Sequence, residues 1–227
     1  MKLLAVETTT EACSAALMID GEIHERYEMT TNGHSKLILP MIDWLFADAC
    51  LQPSNLDCLA FGCGPGSFTG VRIATGIIQG IAFALGLPVV PVSNLAAVAQ
   101  DFFDHNNENL AFVAMDARMN EIYWGVYQRN ALGYAELLGK EAVLPAYDIE
   151  FPELSGVGIG SGWKPYHQEL TTRLSHHLIR HEADNLPRAR AVVRLGLEGF
   201  KQGVAVAAEY AMPVYLRDKV AKKESEQ

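Results

Sequence analysis

The chain has 227 residues, 49% of them hydrophobic, enough to fill one large core or two small ones without disulfide staples. A formal net charge of −9 argues against a protein that grips tRNA or DNA by itself, because neutralising phosphates takes clustered Lys and Arg. The cysteines Cys13, Cys50, Cys58 and Cys63 form no CxxC pair, no charged leader precedes the first strand, and the apolar stretches are interrupted before the roughly 18–20 residues that span a bilayer; a reduced, cytoplasmic chain without membrane segments is expected.

Lys2 to Glu7, Cys13 to Ile19 and Glu22 to Met29 read as three successive strands joined by short turns. A helix follows from about Ser35 to Ala49, its start blurred by Pro40. Asp57 to Gly62 is a buried strand, Ser67 to Leu85 a helix closed by Gly86 and Pro88, and Val89 to Val92 a short strand. The polar stretch Gln100 to Asn109 reads as a linker.

The pattern then restarts. Leu110 to Asp116 is an apolar strand ending in an acid, as Lys2 to Glu7 was, Glu121 to Gln128 alternates, and Tyr134 to Leu138 supplies a third strand. Gly156 to Gly160 is a short strand, and helices follow from about Pro165 to Leu174 and from Arg188 to Gln202. Two pseudo-repeats of about a hundred residues predict two stacked α/β lobes, 1–105 and 106–227, with a cleft between them and the last helix and tail packing back on the first lobe.

The segment Cys58 to Leu85 carries the densest signal, a strand turning through glycines into a helix with Gly70, Gly76 and Gly80. The turn offers backbone N–H groups at a helix N-terminus, but no register of GCGPGSFTGVR completes a P-loop or a dinucleotide fingerprint, and GPGSFTG is not the nucleophile elbow of a serine hydrolase. Cys63, before the helix, is either an activated thiol or a structural one, and Arg72 either reaches an anion or makes a surface salt bridge. Arg188, Arg190 and Arg194, with Lys219, Lys222 and Lys223, read as a solvated helix face and a frayed terminus.

A duplicated lobe whose first strand ends in an acid each time, Glu7 and Asp116, resembles the actin-like ATPase fold of sugar kinases and actin. In that fold the turns after the two first strands hold nucleotide phosphates; here they are ETTTE at Glu7 to Glu11 and DARMN at Asp116 to Asn120, and GIGSGW would lie near adenosine. Each acid is otherwise a plain turn or cap residue. Glu7, Thr8, Thr9, Asp116, Arg118 and Gly160 are therefore the candidates for weak ATP or ADP binding, in loops without the glycines that let backbone approach a phosphate.

Five segments in order, VETTTEACSAAL, HSKLILPMIDWLF, GPGSFTGVRIATGIIQGIAFALGLPVVPVSNLAAVA, MDARMNEIYWGVY and MPVYLRDKVA, together resemble the TsaB (YeaZ) family nearly end to end. That family is the bacterial paralogue of TsaD in the synthesis of N6-threonylcarbamoyladenosine beside the anticodon of tRNAs that read codons starting with A. The resemblance implies a non-catalytic subunit that binds and activates TsaD, with the ATPase TsaE in the assembly and no cofactor of its own. Where TsaD-like relatives carry a metal-binding His-x-x-x-His pair, this chain has Asn94 and Val98, so no metal and no catalytic residue is expected; His177 and His181 have the spacing but lie in the wrong half. The rival readings are a small-molecule kinase or ATPase of the same fold and a glycoprotease-type metallopeptidase.

The first two helices have apolar stripes wider than a sheet alone needs. Leu37, Met41 and Leu45 on one, with Phe68, Gly70, Arg72, Ile73, Gly76, Ile77 and Gly80 on the other, are the expected partner-binding set, for TsaD and for a homodimer when TsaD is absent. The alternative is that both stripes face only the sheet.

Overall fold

The computed structural model describes residues 1–217. Strands β1 (Lys2–Glu7), β2 (Ala12–Ile19), β3 (Glu22–Met29), β4 (Cys58–Gly64) and β5 (Val89–Ser93) form one sheet in the order β3-β2-β1-β4-β5. Strands β6 (Leu110–Asp116), β7 (Ile122–Arg129), β8 (Ala135–Leu144), β9 (Gly156–Ile159) and β10 (Leu178–Glu182) form a second in the order β10-β9-β6-β7-β8. Read from the far edge this is the same topology, an antiparallel meander joined to two parallel strands, so the duplication in the sequence is a duplication in space.

Among the described residues five α-helices cover the sheets: α1 (His34–Asp48), α2 (Phe68–Leu85), α3 (Asn94–His105), α4 (His167–Leu174) and α5 (Ala189–Lys201). Strand alternation sorts the first sheet into two faces. Leu4, Val6, Leu59 and Phe61 point toward α1 and α2, where Ile38, Leu45, Ala74 and Ile78 meet them. Leu3, Ala5, Cys58 and Ala60 point the other way, toward α5. Gly196 of α5 lies so close to Ala60 that a Cβ on it would come within 2.6 Å, so a bare backbone there lets the helix lie flat on the strand.

Helix α3 follows the first sheet but packs Leu95, Val98, Phe102 and Phe103 against β6, β7 and β9 of the second. Helix α5, which follows the second sheet, packs on the first. The layers run α1 and α2, first sheet, α5 and α3, second sheet, α4. Between the halves, Ser93 donates to Glu141, which also accepts from Tyr127 of its own sheet, and Gln100 accepts from Ala135 N (2.9 Å) and donates to Gly133 O (3.1 Å).

The segment 211–217 crosses between the halves as a strap. Gln79 of α2 donates to Ala211 O (3.0 Å), Val214 N donates to Cys63 O (2.7 Å), and Arg217 pairs with Glu121 at the β6–β7 turn (2.5 Å).

Three expectations need correction. Residues 100–105 are not linker but the C-terminal half of α3, because Phe102 and Phe103 supply buried contacts and Gln100 is fully hydrogen-bonded in the interior. His177 and His181, which have the spacing of a ligand pair, lie apart in structure, His177 in a 3-10 turn against Phe151 and His181 in β10, stacked on Trp163. Arg188, Arg190 and Arg194 are not simply solvated, since they pair with Glu25 (2.5 Å), Asp101 (4.0 Å) and Asp104 (2.6 Å); Lys219, Lys222 and Lys223 lie outside the described residues. Finally, α2 has the length and apolarity to cross a bilayer, 18 residues of mean hydropathy 1.5, yet it is amphipathic and buries Val71, Ala74, Ile78 and Ala82 against the first sheet.

Candidate functional site

The turn after β1 is where the two readings of Glu7, Thr8 and Thr9 part. All three are buried, at 0%, 0% and 1% exposure. Alternation places Glu7 on the inner face with Leu3 and Ala5, and the parallel register that pairs Val6 with Phe61 sets Gly62 beside it. A Cβ on Gly62 would overlap both Glu7 Oε2 and Asn94 Oδ1. Burial raises the Glu7 carboxyl to about 7, against the lowering effect of hydrogen bonds from Thr9 and Thr8.

The glycine-rich turn after β4 closes over this site. A Cβ on Gly66 would come within 2.7 Å of Thr9 Cβ, one on Gly70 would collide with Thr8 O and lie 2.9 Å from Thr9 Cα, and Thr8 Oγ1 donates to Gly70 O (2.7 Å). The first turn of α2 is thus packed on the chain itself, with Ser67 as its N-cap (3.3 Å to Gly70 N). Gly70 belongs to this internal contact and not to an outer stripe. Cys63 is a structural thiol, pushed up to about 12 chiefly by burial.

Asn94 and Val98 are both fully buried. Val98 fills the core between α3 and the second sheet, and Asn94 donates from Nδ2 to Pro65 O (2.9 Å) and to Thr9 Oγ1. Among the described residues, no three His, Cys, Asp or Glu side chains gather as a metal site.

In the second half, Asp116 and Arg118 pair with each other at 3.0 Å, with the arginine exposed. Arg118, Met119 and Asn120 all have positive φ, so DARMN is a tight turn whose polar groups satisfy one another: Arg118 N donates to Asp116 Oδ1 (2.8 Å). Gly160 is buried with φ 105°, its missing Cβ making room for Ala114 O.

The outer face of α2 is built differently. Arg72, Gly76, Gly80, Phe83 and Ala84 are exposed at helical spacing, and a Cβ on Gly76 or Gly80 would meet nothing within 4 Å. Phe83 is 84% exposed, while Ile73 and Ile77 flank the stripe half-buried. Arg72 lies over the Phe68 ring at 3.4 Å, with Tyr215 of the strap beside them, a cation–π contact, and among the described residues it makes no salt bridge. On α1, Met41 and Leu45 prove to be core residues and Leu37 packs half-buried on the same core, because the sheet face takes the whole stripe. The outward apolar side chains of α1 are Leu39 and Trp44.

Sequence reasoning missed Phe83, Leu39 and the strap residues Tyr215 and Met212, all exposed. Phe83 was open to discovery, since it continues the 72–76–80 spacing by one turn. The strap has no periodicity to announce it.

The model of the family described as TsaD: tRNA N6-adenosine threonylcarbamoyltransferase matches residues 20–225. The chain is 38% identical to the tRNA threonylcarbamoyladenosine biosynthesis protein TsaB of Escherichia coli, over 98% of its own length and 97% of that protein's. It is also 38% identical to the TsaB of Haemophilus influenzae, over 98% and 96%. Among solved structures, YeaZ from Pseudomonas aeruginosa superposes with a TM-score of 0.88 at 41% identity, over 95% of this chain and 99% of that one. The two mixed five-stranded sheets with their covering helices are the two-lobed, actin-like ATPase-type architecture. Matched along nearly its whole length in sequence and in fold, the chain belongs to the TsaB (YeaZ) family.

Proposed function

We propose that this chain acts in tRNA threonylcarbamoyladenosine biosynthesis as a non-catalytic subunit that binds TsaD through the outer face of α2. One observation carries the reading: an exposed helical stripe of Gly76, Gly80, Phe83 and Ala84, open above the glycines and flanked by Ile73 and Ile77, fits a second helix laid closely along it. A non-catalytic role follows from Asn94 and Val98, which are spent on internal packing where TsaD-like relatives would hold a metal. TsaE and tRNA would join through the complex, in keeping with a net charge of −9 that suits no tRNA-binding surface of its own. With TsaD absent, the same stripe would serve a homodimer in the cytoplasm. No cofactor is required, and ATP or ADP would bind weakly at most, since Glu7, Thr8 and Thr9 are buried.

The test is reconstitution. The chain, TsaD and TsaE from one organism are purified separately, and modified adenosine is measured with the chain present and withheld. The reading expects co-elution with TsaD, modification only when the chain is present, and no modification by the chain alone. Modification at full rate without it, or ATP turnover by the isolated chain, would refute the proposal.

A further inference from the structure

We propose that Glu7 is held as a neutral carboxylic acid whose Oε2 proton is donated to Asn94 Oδ1, fastening the β1–β2 turn to the start of α3. Counting donors around Thr9 leads to this. Glu7 Oε1 accepts from Thr9 N (2.6 Å) and from Thr9 Oγ1 (2.5 Å), which uses the only hydroxyl proton. Asn94 Nδ2 donates to Thr9 Oγ1 and to Pro65 O (2.9 Å). A carbonyl only accepts, so Pro65 fixes which way the amide points and turns Oδ1 away.

Glu7 Oε2 and Asn94 Oδ1 remain. Both residues are 0% exposed, both atoms lack a partner among the described residues, and both crowd the point where a Cβ on Gly62 would stand. Two acceptors crowded together in the interior repel each other; one proton turns the clash into a hydrogen bond, and of the two groups only the carboxyl carries one.

The surroundings agree. Cys13 on β2 and Cys63 on β4 are the titratable neighbours, with thiols raised to about 11 and about 12 and therefore neutral. Glu141, beyond Cys63, adds only negative charge. The turn after β4 contributes the backbone of Gly66, the first turn of α2 that of Gly70, and α3 the amide of Asn94. Among the described residues no Lys, Arg or His offsets a charge on Glu7, and burial lifts its carboxyl from 4.5 to about 7.

Because the folded chain holds this proton more tightly than the unfolded one, the contribution of Glu7 to stability is fullest below pH 4.5, declines as pH rises toward 7 and stays lost above it. The same turn seats the start of α2 through Thr8 and Gly70, so the lock bears on how that helix is presented.

Glu7→Gln places an NH₂ where the proton would be, with Oε1 still accepting from Thr9. The test follows the thermal midpoint of wild type and Glu7→Gln from pH 5 to 9, and the side-chain carboxyl carbons of ¹³C-glutamate-labelled protein by NMR. The proposal expects one glutamate carbon titrating near 7 in wild type and absent from the variant. It also expects the wild-type midpoint to drop relative to the variant by about 5 °C or more across the range. A constant difference between the two proteins at all pH values would overturn it. If the variant does not fold, a wild-type spectrum in which every glutamate carbon titrates below about pH 5.5 overturns it equally.

Discussion

Gly62 surrenders its side-chain space to Glu7: the two are neighbours on adjacent parallel strands, and a Cβ on the glycine would lie within 2.8 Å of the Glu7 carboxyl carbon. Glu7 is fully buried, so it has nowhere to retreat without breaking its bonds to Thr9.

Gly62→Ala is therefore expected to cost about 2–3 kcal/mol, the scale of overpacking a filled core, and to lower the thermal midpoint by several degrees. Denaturant unfolding measures it. Gly76→Ala, which adds the same methyl where nothing lies within 4 Å, should leave stability unchanged or slightly raised, as a Gly-to-Ala change in an exposed helix does. Equal effects at the two positions would contradict the packing described.

The four cysteines should divide cleanly by reactivity. Cys13, Cys58 and Cys63 are buried with thiols raised to about 11, 12 and 12, whereas Cys50 is exposed. A thiol reagent at pH 8 should label one site per native chain and all four after denaturation, with mass mapping placing the native label on Cys50.

The outer face of α2 can be broken without disturbing the core. Phe83→Glu and Gly80→Arg alter exposed positions, so the thermal midpoint should move by less than about 2 °C, while a charge set into an apolar contact should weaken TsaD binding by about 3 kcal/mol, roughly two orders of magnitude. Calorimetry on the folded variants decides the point. Binding at wild-type strength in both would move the interface elsewhere.

Leu45→Glu separates the inner face of α1 from its outer one. Leu45 is 1% exposed and packs with Ile38 and Phe46 on the first sheet, so this substitution should unfold or severely destabilise the chain and report nothing about binding. Trp44→Glu, by contrast, should be tolerated, since Trp44 is 44% exposed with Arg26 at 4.4 Å over its ring. Circular dichroism of both variants checks this.

Local periodicity was enough to write most elements into the sequence. The short apolar runs of Lys2–Glu7 and its copy Leu110–Asp116, the Ser67 cap and the Gly86 stop of α2 are each fixed by neighbours a few residues away. The family signature was legible for the same reason, because motifs in a fixed order survive without coordinates. Three things only the tertiary structure decided. Helix α3 crosses to the second sheet, so the polar QDFFDH is helix and Val98 is core. The stripe of α1 turns wholly inward, which spends Met41 and Leu45 on the fold. And Glu7, an acid that sequence alone leaves as a turn residue or a phosphate contact, is enclosed by Gly62, Thr9 and Asn94. A sequence states which side chains can be buried; which face is covered, and whether a carboxyl meets water or a neighbouring amide, depends on segments that come together from 55 and 87 residues away, and no local pattern encodes that meeting.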